Sequence, residues 1–132
     1  MPQYMMLLYA EQPADEAELQ RRQGEFPRWL ELNRNLQEAG VLVGGDQLAP
    51  VDVATTVRVR EGESEIVDGP FATTKEILAG YYLLDCSDLD EALKWAARMP
   101  LAEWGSVEVR PLMGMSADEV SEPAAGAGQQ AG

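Results

Sequence analysis

Two carboxylates and an amine flank a glycine-proline turn in Asp68-Gly69-Pro70-Phe71-Ala72-Thr73-Thr74-Lys75-Glu76, and the chain continues into Ala79-Gly80-Tyr81-Tyr82-Leu83-Leu84-Asp85. Gly69 admits backbone angles other residues disfavour. Pro70 fixes its own φ and restricts its neighbour, so the backbone sets the direction of the Asp68 carboxylate. Asp68 is therefore a candidate general base or ligand acceptor; the alternative is that it caps its own turn. Glu76 precedes apolar Ile77-Leu78, and a carboxylate at the mouth of an apolar cavity has its pKa raised, as acid/base work requires. Its other reading is a structural salt bridge to Arg58 or Arg110. Lys75, its neighbour, diverges from it in either helix or strand and adds a cation at the rim.

Arg58 and Arg110 are the candidate grips for an anionic ligand, because guanidinium binds carboxylates in a bidentate way and keeps its charge. They can equally neutralise Asp68, Glu76 and Glu108 in a structural network. Tyr81 and Tyr82 must alternate across a strand, and Tyr82, on the side of Gly80, is expected in the cavity. Other chemistries fall away. With no histidine and one cysteine, Cys86, the chain offers no Ser-His-Asp or Cys-His arrangement, no usual zinc site and no histidine haem ligand. Gly44-Gly45-Asp46 lacks the spacing of a phosphate loop, so no cofactor is implied.

These groups need a scaffold, and 132 residues with 45% apolar content suit one domain. Ten Lys and Arg against 23 Asp and Glu give a net charge of −13, a field that repels nucleic acid and anionic membranes. The early run Met5-Met6-Leu7-Leu8 is too short to span a bilayer and has no basic residue before it, so a cytoplasmic protein is expected. Cys86 reads as a bland strand-end residue whose neighbour Asp85 raises its thiol pKa.

Tyr4 to Tyr9 reads as a strand buried on both faces. Helical spacing follows from Ala14 to Ala39, broken near Gly24, with Pro27 in the first turn of the second segment. Val41 to Val43 suggests a brief strand before a turn at Gly44-Gly45-Asp46. Thr55 to Arg60 alternates and turns at Glu61-Gly62-Glu63 into Glu65 to Asp68, a hairpin delivering the Asp-Gly-Pro-Phe turn. A helix starts at Ser87 or Asp88 and stops before Pro100, with Leu89, Ala92, Leu93, Ala96 and Ala97 as its apolar stripe. Ser106 to Pro111 is the last strand. Residues 1–113 form the expected domain, and 114–132, poor in large apolar side chains, the expected flexible tail.

Strand, helix, strands, helix, strand predicts an α+β, ferredoxin-like antiparallel sheet with both helical segments on one face and an inserted hairpin. Val57, Val59, Val107 and Val109 are expected toward the helices, which leaves Thr56, Arg58, Arg60, Glu108 and Arg110 on the open face.

The signature Asp68 to Glu76, with Tyr4 to Leu8, Gly80-Tyr81-Tyr82, Asp88 to Ala92 and Val107 to Pro111, resembles the DGPF subfamily of YCII-related proteins. Thr73 departs from it, since members commonly have Glu there. The resemblance implies a dimeric α/β barrel, two ferredoxin-like subunits with their sheets together, and hence a homodimer. A His-Asp catalytic pair proposed for some family members has no counterpart in a chain without histidine. The resemblance also suggests a link to extracytoplasmic-function sigma factors. Three functions are compatible with these readings. The first is a small-molecule-binding module with an anionic ligand; the second is a cofactor-free lyase or hydrolase using Glu76 or Asp68. The third is an adaptor for a basic protein partner.

Overall fold

The computed structural model describes residues 2–70 and 74–114. Strand β1, Gln3–Glu11, alternates cleanly: Tyr4, Met6, Leu8 and Ala10 are buried while the residues between them are half-buried. Only one side of β1 is thus covered, where the apolar run predicted two. Helix α1, Glu16–Gln23, starts at Asp15, whose carboxylate accepts from the Glu18 N–H at 2.9 Å; Glu18 in turn accepts from the Ala14 N–H at 2.7 Å. Those bonds satisfy donors that a helix start leaves orphaned. The predicted break falls at Gly24 and Glu25, and α2, Phe26–Glu38, carries Pro27 in its first turn and buries Leu32 and Leu36. Gly40, at φ 74°, takes the left-handed conformation that ends a helix, and the Val41 N–H returns to the Leu36 carbonyl at 3.2 Å.

Strand β2, Leu42–Gln47, runs through Gly44-Gly45-Asp46, where the sequence suggests a turn. The reason lies on the neighbouring strand β5, Glu76–Asp85. A Cβ on Gly45 would stand 2.7 Å from the Tyr81 carbonyl oxygen, so the glycine lets the two backbones approach. Between them come β3, Thr55–Arg60, and β4, Glu63–Asp68, joined by Glu61 and Gly62 at φ 54° and 81°, a turn with two positive φ angles.

Helix α3, Leu89–Ala97, starts at Asp88, one of the two predicted caps, which accepts from the Glu91 N–H at 2.9 Å, and β6, Ser106–Pro111, closes the fold. The stripe of α3 splits. Ala92 and Ala96 are buried against the sheet, which small side chains allow to come close, whereas Leu89 and Leu93 stay exposed.

The four-stranded sheet has the order β2-β5-β1-β6 with antiparallel pairing throughout. Residues of α2 and α3 join the buried side of β1 in one core around Met6, Leu36, Leu84, Cys86 and Met99, so both helices cover the same face. The architecture is α+β, as predicted. The hairpin departs from prediction: β3 and β4 pair with each other in a separate two-stranded sheet, and Val57 and Ile66, cross-strand neighbours, are 61% and 70% exposed. Val57 and Val59 therefore do not face the helices. Strand alternation puts them on one side of the hairpin but does not decide what lies there. Apart from Gly114, the tail expected over 114–132 falls outside the described residues, as do Phe71 to Thr73 of the signature.

Candidate functional site

Directly paired residues of neighbouring strands share a side of the sheet, so the register defines the face that the helices leave open. Leu7 stands opposite Tyr81 on β5 and Glu108 on β6, and Met5 stands opposite Leu83 and Arg110. Tyr9 pairs with Ser106 on the same side. Val107 and Val109 fall on the helix side and Glu108 and Arg110 on the open side, as predicted. The open face thus has an apolar and aromatic centre, with the Glu108 and Arg110 pair on β6 and two further carboxylates, Asp46 opposite Tyr81 and Asp85 opposite Gln3.

Arg110 donates from Nε and Nη2 to a single oxygen of Glu108, at 3.0 and 2.6 Å. The Glu108 hydrogen bond, then its charge, raises the Arg110 pKa, and Tyr9 adds a smaller contribution. Their side chains are 65% and 42% exposed, so solvent screens the pair. Glu76 opens β5 opposite Glu11; the Ser106 hydroxyl lies 3.4 Å from its Oε1, and Thr74 donates to its backbone carbonyl at 2.6 Å. Among the described residues Glu76 has no salt bridge to Arg58 or Arg110.

The other predicted residues separate. Asp68 ends β4, exposed, and the foot of the hairpin is closed by the Gly69 N–H to the Ala54 carbonyl at 2.6 Å and the Thr56 hydroxyl to the Gly69 carbonyl at 2.7 Å. Lys75 is exposed just before β5. Arg58 stands on β3 opposite Glu65, in the hairpin, while Arg110 is on the β6 edge, the far side of the main sheet from β2. Within one copy the two arginines do not share a face.

Tyr82 is the clear correction. It pairs with Met6 on the helix side, stacks on Trp29 with ring centroids 6.3 Å apart, and hydrogen-bonds Asn33 of α2. Tyr81 holds the open-face position instead. Sequence reasoning also passed over Tyr9 and Ser106, whose signal was available in the period-two alternation of β1 and β6.

A concavity lies on the helix side, a shallow depression of about 180 Å³ lined by Arg28, Glu31, Leu32, Asn35 and Arg98. Its cations are engaged already: Arg28 binds both oxygens of Glu103, and Arg98 lies 4.6 Å over the Trp95 ring. The open face has the better chemistry.

Fold and site together define an α+β protein with an antiparallel sheet, helices on one face and an uncovered aromatic face bearing a charged pair. Residues 3–116 match the YCII-related domain, and the chain belongs to that family. It is 48% identical over 83 residues to an uncharacterized protein of Rhizobium meliloti (strain 1021), a match spanning 61% of this chain and 67% of that protein. No helix among the described residues is long and apolar enough to cross a membrane.

Proposed function

We propose that the protein is a small-molecule-binding module whose open sheet face, covered by a second copy, holds an anionic ligand at Arg110. The subunit is then ferredoxin-like and the pair a dimeric α/β barrel, with the two open faces enclosing a polar cavity. The observation that carries this reading is the Arg110–Glu108 pair on a face whose centre is formed by half-buried Met5, Leu7, Tyr9, Tyr81 and Leu83. An exposed pair is weakly held, so a ligand carboxylate or phosphate can replace Glu108 on the guanidinium and take both parallel N–H groups. Tyr9 and Tyr81 offer ring faces and hydroxyls to the rest of the ligand.

Binding is favoured over proton transfer because Asp68 is exposed on the hairpin and Glu76 lies at the sheet's end beside Ser106. A single copy does not surround either carboxylate with the dry walls that acid/base work requires. The test is a thermal-shift panel of small carboxylates, phosphates and aromatic acids on wild type and Arg110→Ala. A ligand at a hundred times its dissociation constant stabilises by about 2.7 kcal/mol. Stabilisation of wild type that Arg110→Ala abolishes supports the site; an equal response in both proteins rejects it.

A further inference from the structure

We infer that the ligand held at Arg110 is amphoteric: its acid group takes the guanidinium, and a protonated amine at its other end takes Asp46 and the ring of Tyr81. This rests on the open-face site proposed above and names the ligand class of that site.

The open face is rich in acid. Besides Glu108 it carries Asp46 and Asp85, and the facing pair Glu11 and Glu76 closes its Ser106 end. Arg110 supplies the cation of the four strands. A ligand bearing only negative charge would have to displace Glu108 and then stand in the field of these carboxylates and of a net charge of −13. A positive group on the ligand turns that field from opposing binding to favouring it.

Asp46 is placed to receive such a group. The register sets one row across the sheet, Asp46, Tyr81, Leu7 and Glu108, and beside it a second, Gly44, Leu83, Met5 and Arg110. At Gly44 an added Cβ would meet nothing within 4 Å, so a ligand lying over Met5 and Leu83 from Arg110 runs into open space beside Asp46. Strand spacing and rise separate the Cα atoms of Arg110 and Asp46 by about 16 Å, and side chains extended toward each other leave roughly 8 Å between their charged ends, the length of a small amino acid. Asp85, about 12 Å from Arg110 on the same measure, leaves too little room for a ligand between them. Glu11 and Glu76 lie farther off, at the other end of their strands. One Asp46 oxygen accepts from the Gln47 N–H at 2.8 Å, and among the described residues no salt bridge engages the carboxylate. Tyr81 stands directly opposite on the same side, and a carboxylate beside an aromatic face is a pairing that holds alkylammonium groups.

The experiment is calorimetric titration with matched probes that differ only in the amine: para-methylbenzoate against para-(aminomethyl)benzoate, and propyl phosphate against aminopropyl phosphate. In the pair that the site takes, the aminated member binds wild type about fivefold more tightly, the strength of one good ion pair open to solvent. Asp46→Asn, whose side-chain oxygen still accepts from Gln47, removes that advantage and leaves the plain acid within about twofold of wild type. Arg110→Ala abolishes binding of both members.

Aminated probes that bind wild type no more tightly than plain acids overturn the inference and leave the anion site standing; so does an advantage that persists in Asp46→Asn. The wild-type comparison decides by itself should the variant lose stability. If no probe binds wild type, or if Arg110→Ala binds them all as well as wild type does, the proposed site fails and the inference with it.

Discussion

The hydroxyl of Tyr82 donates to Oδ1 of Asn33 at 2.5 Å, tying the second-central strand β5 to the middle of α2. The bond spans the helix–sheet interface and explains why Tyr82, and not Tyr81, is turned from the open face. Desolvation raises the Tyr82 pKa, and the Asn33 bond opposes that rise. Tyr82→Phe keeps the stack on Trp29 and loses only the hydroxyl, a cost of about 1 kcal/mol; Asn33→Ala strands a half-buried hydroxyl and costs somewhat more. Denaturant titration measures both. Neither change affects ligand response at Arg110, and a Tyr82→Phe protein that folds normally but no longer responds would overturn the assignment of Tyr82 to the core side.

Gly105 sits where the turn after Pro100–Glu103 enters β6. A Cβ there would stand 2.5 Å from the Tyr9 carbonyl oxygen and 2.9 Å from Leu101 Cδ2. Tyr9 is fixed by pairing to both neighbours, so its backbone cannot retreat without disturbing β1. Gly105→Ala therefore destabilises by roughly 1–3 kcal/mol. An unchanged denaturation midpoint would mean that β6 enters the sheet with more freedom than this packing allows.

Local chemistry wrote several of these features into the sequence legibly. The hairpin turn at Glu61-Gly62, the helix start at Asp88 and Pro27 in the first turn of α2 each depend on a few adjacent residues. The Asp15 start of α1 repeats the Asp88 pattern, an Asp with Glu three residues on, and was readable in the same way. What stayed hidden was non-local. Alternation says that Tyr81 and Tyr82 point to opposite sides, but Trp29 and Asn33 on a distant helix decide which side is which. The same holds for Val57 and Val59, whose alternation is real although β3 joins no helix-covered sheet. Arg58 and Arg110 were grouped by residue type, and sheet membership separates them.

Cys86 gives the chain a stability that depends on alkaline pH. Burial, then Glu91, Asp85 and Asp88, raises its thiol from the ordinary 9.0 to about 11. Because the folded pKa lies above the unfolded one, the contribution is complete below about pH 9 and is lost as pH rises through 11. Its ceiling is about 3 kcal/mol. Cys86→Ala loses packing at every pH but has no thiol to ionise, so the gap between wild type and mutant narrows from about pH 9 to about pH 11. Denaturation midpoints of both proteins across that range measure it; a constant gap would mean that the thiol ionises equally in the folded and unfolded chains.

Arg110 and Glu108 make a sharper test of binding against structure. Both side chains are largely in water, and each has the other as its partner, so a structural role predicts small and equal losses from Arg110→Ala and Glu108→Gln. A binding role predicts opposite signs. Removing the guanidinium abolishes the response to an anion, whereas Glu108→Gln releases the guanidinium from its internal competitor and strengthens binding several-fold. Titration calorimetry with whichever carboxylate or phosphate shifts the wild type reads both signs at once, and raised salt weakens every affinity in the series. If Glu108→Gln binds more weakly than wild type, Glu108 orients Arg110 for the ligand rather than competing with it, and the exchange of partners on the guanidinium is wrong.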